Sequence, residues 1–174
     1  MSTYKQNKSL ILILLLYLSY AFDMDNTEAI EEFRRYMLDA HNEWRIAYGL
    51  PLYNRENYLE VSSNEWVKHM WDIKTMIHSH NPMVGENLAW RSENITDLKT
   101  LTYALYKQWS DEIFHFSNNK VPYTSTDGYP TGHISQILWK TSTKLGCSMY
   151  GKDTTYYVVC HYSPVGNIFG MTPF

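Results

Sequence analysis

The chain has 174 residues with 15 basic and 18 acidic side chains, a formal charge of −3, and 44% hydrophobic residues. Charged residues are scattered, with no basic stripe to follow a phosphate backbone, which argues against a nucleic-acid-binding surface. The length suits one domain with one core.

The first residues, MSTYKQNK, are basic, and SLILILLLYLS is an apolar block ending in SYA. That order predicts a secretory signal peptide over residues 1–21. The apolar run from Leu10 to Leu18 falls far short of the ~20 residues needed to span a bilayer, so no transmembrane span is expected in the mature chain. Residues 22–174 are then one exported, acidic domain.

From Asp25 to Tyr48, Ile30, Phe33, Met37, Trp44 and Tyr48 recur at helical spacing, with Asp25 and Glu28 as the expected cap and Gly49 and Pro51 as the stop. His41 lies on that apolar stripe, where a hydrogen-bonded core histidine is expected more often than a site residue. A second helix is predicted from Arg55 to Met76, carrying Leu59, Ser62, Trp66, Met70 and Ile73, before HSHNP ends it at Pro82. Asn94-Ile95-Thr96 is a glycosylation sequon, placing Asn94 in an exposed loop.

A third helix is predicted from Thr96, as its cap, to Phe116, with Leu98, Leu101, Leu105, Trp109 and Phe116 on one face. Glu112 projects from the middle of that face while Asp111 points away. A buried carboxylate needs a donor, a cation or a metal, because leaving it bare costs several kcal/mol. The turn-rich SNNKVPYTSTDGYPTG follows, a loop long enough to be a binding element.

Three strands are predicted next: His133 to Trp139, Leu145 to Tyr150 and Thr155 to Tyr162. In the first, period-two alternation groups His133 with Ser135, Ile137 and Trp139, and Gln136 with Ile134 and Leu138. The other two form a hairpin in which Cys147 and Cys160 are mirror images about Asp153 and Thr154, so in an oxidising compartment they are expected to form a disulfide. Helices followed by strands point to an α+β domain.

His133, Glu112, His78, His80 and Glu86 are the candidates for a polar site able to bind a divalent ion or share protons. Their spacing matches no short metal-ligand motif. There is also no GxSxG, no P-loop and, with the two cysteines bridged, no thiol nucleophile.

Five phrases in order carry the reading further: HNEWR at His41 to Arg45, HSHNPMVGENLAW at His78 to Trp90, QWSDEI at Gln108 to Ile113, GHISQILWKTSTKLGC at Gly132 to Cys147, and YYVVCHYSPVGNIFG at Tyr156 to Gly170. Together they resemble the CAP superfamily of cysteine-rich secretory, antigen 5 and pathogenesis-related proteins, also called SCP/TAPS or venom allergen-like. The resemblance implies a three-layer α-β-α sandwich with a central, mostly antiparallel sheet and a cavity bearing two histidines and two glutamates. By motif these are His78, Glu86, Glu112 and His133, with His78 and His133 able to hold zinc or another divalent cation, none obligatory, and His80 the rival of His78. Val84 stands where many secreted members have a cysteine before GEN, one disulfide is expected instead of about three, and no C-terminal cysteine-rich module is predicted.

The resemblance also implies an extracellular protein, monomeric or weakly dimeric, that acts by binding a lipid, a sterol or a partner protein. A metal-assisted hydrolase, with Glu86 or Glu112 as base, is the alternative. In a third reading the four side chains are only a hydrogen-bonded core device.

Overall fold

The computed structural model describes residues 25–117 and 128–174; the predicted signal peptide and residues 118–127 of the long loop lie outside that range. Helix α1 (Thr27–Ala47) starts where the Asn26 side chain accepts the Glu28 amide at 2.9 Å, so Asn26 caps it in place of the expected Asp25. Helix α2 (Asn57–Ile73) stops where Lys74 turns left-handed, φ 54°. Helix α3 (Leu98–Ser110) is capped by Asp97, one residue beyond the expected Thr96, and runs into a 3-10 turn over Asp111–Phe114.

Strands β1 (Asn54–Arg55), β2 (Gly85–Ser92), β3 (Lys144–Lys152) and β4 (Thr155–Ser163) form one sheet in the order β1-β3-β4-β2. β1 pairs parallel with β3, and the other pairings are antiparallel. Alternation along β4 divides the layers. Tyr156, Val158, Cys160 and Tyr162 join the larger core with α1, α3 and a short helix α4 (Gly132–Ile137), whereas Tyr157 and Val159 pack with Val67 and Met70 of α2. The α-β-α sandwich is therefore as expected. So is the hairpin: Cys147 faces Cys160 in register and is disulfide-bonded to it.

One local reading is corrected, and one strand is added for which no element was predicted. The segment expected as a strand from His133 to Trp139 is instead a short helix, α4 (Gly132–Ile137). Ile134, Ile137 and Leu138 are buried at i, i+3 and i+4, a spacing that a short apolar run offers to a helix as readily as to a strand. His133 and Gln136, three residues apart, are thus neighbours around a helix, not opposed across a sheet. Conversely, GENLAWRS is strand β2, pairing residue by residue with β4 from Gly85↔Tyr162 to Ser92↔Thr155.

His41 is fully buried, its Nδ1 2.7 Å from the Met37 carbonyl and its Nε2 2.8 Å from the Tyr162 hydroxyl. These partners suit a neutral ring whose Nδ1–H donates to Met37 and whose Nε2 accepts from Tyr162. Burial pushes its pKa down to about 4, against the pull of the Met37 bond. The unfolded chain, with the ordinary value near 6.5, therefore binds the extra proton between pH 6.5 and 4. Stability should fall with pH through that window, by up to about 3 kcal/mol, and level off below it. Urea denaturation of the wild type and of His41→Gln from pH 7 to 4 checks this, since the variant should lose that part of the slope.

Candidate functional site

The site assembles around the first residues of β2, an edge of the sheet. Because Glu86 is in register with His161, and both alternate with core-facing neighbours, their side chains lie on the α2 side. Glu86 Oε2 accepts from His161 Nε2 at 2.9 Å. Its Oε1 accepts from His78 Nδ1 at 2.7 Å and from the Ser79 amide at 2.9 Å. Burial alone would push the Glu86 carboxyl up, but these donors outweigh it and hold the group well below the usual carboxylate range. In turn Glu86 pulls the His78 imidazole upward against the opposing effect of burial. Behind His161, its Nδ1 lies 2.7 Å from Ser62 Oγ on α2.

Glu112 sits in the 3-10 turn, with its side chain only 7% exposed. Its Oε1 accepts from His133 Nδ1 at 2.6 Å, and its Oε2 accepts the amides of His133 and Ile134 at 2.8 and 3.0 Å. Those amides belong to the first turn of α4 and have no partner within the helix, so one carboxylate both caps the helix and orients the imidazole. The indole of Trp109 stacks on His133, with centroids 6.0 Å apart. Asn87, on the opposite side of β2 from Glu86, donates to the His133 carbonyl at 3.1 Å and ties α4 to the strand.

The four expected residues therefore form two carboxylate–imidazole pairs, His78–Glu86 and His133–Glu112, joined through adjacent residues of β2. A cleft of about 280 Å³ is lined by His78, Ser79, Glu86, Gln136, Gly166 and Asn167, among others. His80 also lines it, at φ 55°, but His78 is the histidine paired with Glu86. The buried partner that Gln136 requires is Ser142, whose Oγ accepts its amide at 3.2 Å. A Cβ on Gly85 would come within 2.2 Å of Gln136 Oε1, and one on Gly166 within 2.5 Å, so both glycines make room for that side chain. Among the described residues, no group of three or more His, Cys, Asp or Glu side chains is gathered to hold a metal.

His161 was not among the candidates read from the sequence. Its signal was its neighbour: with Cys160 turned to the disulfide, His161 must face the other side, and reading GENLAWRS as the pairing strand would have set Glu86 opposite it.

Comparisons with known proteins agree with this architecture. The cysteine-rich secretory protein family model matches residues 38–162, from within α1 to the end of β4. Pathogenesis-related protein 1B of Nicotiana tabacum is 29% identical over 164 residues, spanning 94% of this chain and 90% of that one. The human Golgi-associated plant pathogenesis-related protein 1 is 28% identical over 144 residues, 80% of this chain and 88% of its own. Among solved structures, NaASP2 with Zn2+ superposes with a TM-score of 0.73 at 22% identity, covering 86% of this chain and 88% of that one, a likeness of fold. No helix among the described residues is long and apolar enough to cross a membrane. Family match, sheet order and motif placement converge: the chain belongs to the cysteine-rich secretory protein, or CAP, family.

Proposed function

We propose that this CAP protein is secreted and acts by binding, with a divalent-cation site at the paired imidazoles. The observation that carries the cation reading is shared by both pairs. Each imidazole gives its Nδ1 to a buried glutamate, which leaves Nε2 free for a ligand, the arrangement by which a carboxylate orients a metal-bound histidine. His78 is 58% exposed and His133 35%, so both can be reached from solvent. With two imidazoles and, among the described residues, no third protein donor gathered beside them, the donor set fits an exchangeable ion with water completing its shell, not a closed structural zinc. His78 and His133 would hold it, and the ion would supply a Lewis-acidic centre for an oxygen-bearing ligand. The crystal structure of NaASP2 with Zn2+ supports the reading by analogy of fold.

Secretion is supported by the basic and apolar leader, by the Cys147–Cys160 bridge and by the exposure of Asn94 for glycosylation. For the organic ligand, Val84 and Val165 line the same cleft as His78 and Glu86, and the loops that supply them carry the exposed Met83, Ile168 and Phe169. That combination suits an amphiphile such as a fatty acid or sterol, or a segment of a partner protein.

Zinc at about 100 times its Kd should raise the stability of the metal-free protein by about 2.7 kcal/mol. The melting shift should vanish in His78→Ala with His133→Ala; no shift in the wild type would reject the cation site. Titration of delipidated protein with labelled palmitate and cholesterol tests the amphiphile, and saturable binding of neither rejects it.

A further inference from the structure

We propose that His161, seated on Ser62, is the positioning residue of the cleft: it fixes one oxygen of Glu86 so that the other presents His78 with its Nδ1–H bound and its Nε2 free. Three of the side chains run inward from the cleft. His78 is 58% exposed, the Glu86 side chain 7% and His161 2%. His161 is also the most firmly placed of them. Its backbone lies in β4 between β3 and β2, and its ring is held at one end by Ser62 Oγ of α2 and at the other by Glu86.

His78 has no such frame. It belongs to the loop between Lys74 and Val84, tied back by the Trp66 indole on the Ile77 carbonyl, at 2.9 Å, and by Glu86 Oε1 on His78 and Ser79. The terminal torsion of a glutamate is broad, so hydrogen bonds set its orientation. Deprived of His161, Oε2 would be a buried charged oxygen that has lost the donor holding it. The carboxylate would turn to recover one and would carry Oε1 away from His78 and Ser79.

Ser62 also stands apart from the cleft. Its hydroxyl meets an imidazole backed by a carboxylate, yet the cleft is lined by His78, Ser79 and Glu86 and by neither Ser62 nor His161. Ser62, half-buried on α2, stands behind His161, where it anchors the ring.

Imidazole 15N spectra at pH 9, with His78 neutral, read the arrangement directly and without metal. The wild type should hold His78 in the Nδ1–H tautomer. His161→Leu should release it to the Nε2–H form, while His161→Gln should preserve it, because its amide can donate to Glu86 and its carbonyl accept from Ser62. Ser62→Ala, a milder change should the leucine variant fail to fold, should move the populations the same way by less. Where the cation reading holds, on which this second arm rests, zinc affinity should fall 10- to 100-fold in His161→Leu and stay within about threefold in His161→Gln. A His78 tautomer that persists in His161→Leu, or shifts equally in the leucine and glutamine variants, overturns the proposal; so does an unmoved tautomer in Ser62→Ala. A wild type that binds no zinc while its His78 tautomer still follows residue 161 rejects the cation site and upholds the positioning role.

Discussion

Replacing Arg45 with methionine should destabilise the protein by roughly 5 kcal/mol, although among the described residues no carboxylate pairs with it. Its guanidinium is fully buried, and its N–H groups serve five backbone carbonyls: Nε donates to Pro51 at 2.6 Å, Nη1 to Ile137 and Trp139 at 3.1 and 2.7 Å, and Nη2 to Lys140 and Ser142 at 3.2 and 2.9 Å. It also lies 4.3 Å from the centroid of the Tyr53 ring. Four of these carbonyls belong to the end of α4 and the connection into β3, where the Trp139 oxygen also accepts the Ser142 amide at 3.1 Å and Lys140 is open to water. Methionine fills similar volume and donates nothing, so each stranded carbonyl costs about 1–3 kcal/mol, reduced where water can enter. Arg45→Lys should cost about 3 kcal/mol, because an ammonium has three donors and cannot reproduce the planar fork. Urea denaturation of both variants checks the ranking. A loss below about 1 kcal/mol for methionine would show that water replaces the guanidinium.

Arg45 also shows which features were legible in the sequence. HNEWR was visible as a motif and its helix as a period, yet nothing in that helix says that the partner is a loop some ninety residues away. Features set by local spacing were readable: the apolar stripes of the three long helices, the hairpin, and the symmetry of Cys147 and Cys160. Glu112 was flagged as a carboxylate on an apolar face in need of donors, and it has three. What spacing could not show is that two of those donors are backbone amides of a helix. That carboxylate anchors the start of α4, which helps explain why GHISQILW, equally apolar in either period, is not a strand. The miss at GENLAWRS has another cause. Strand β2 is exposed at Trp90 and Ser92 and buried at Leu88 and Ala89, so its pattern alternates poorly.

The outer edge of β2 helps explain why the site is stable there. Its Leu88 and Trp90 carbonyls are taken by the Trp109 indole at 2.8 Å and the Gln108 amide at 3.1 Å, both from α3. A sheet edge closed by side chains does not recruit another strand. It leaves Gly85, Glu86 and Asn87 at the head of the strand free to address the cleft, α2 and α4 in turn. One short run thus couples both imidazole pairs, which the sequence keeps far apart.

Gly146→Ala tests the His78–Glu86 half of that coupling from β3 and should cost roughly 4 kcal/mol, above the about 1–3 kcal/mol usual for overpacking. Gly146 faces α2 from β3, and a Cβ there would sit 2.3 Å from the Glu60 amide nitrogen and the Leu59 carbonyl carbon. Those are backbone atoms of a helix, so no side chain can swing aside; α2 must move as a body. The move would begin beside the site. Gly146 is the cross-strand neighbour of His161, and Ser62, whose Oγ lies 2.7 Å from His161 Nδ1, also bonds the Leu59 carbonyl at 3.2 Å. Lifting α2 from the strand by an ångström would therefore part Ser62 from His161 before the fold is lost. Gly132→Ala is the control, with nothing within 4 Å of the added carbon and a stability change expected within about 0.5 kcal/mol. Chemical denaturation gives the stability of each variant, and imidazole spectra give the state of His78. A Gly146→Ala protein as stable as the wild type would mean that helix and strand are not in backbone contact. One that is destabilised while His78 keeps its tautomer would place the strain elsewhere than the Ser62–His161 contact.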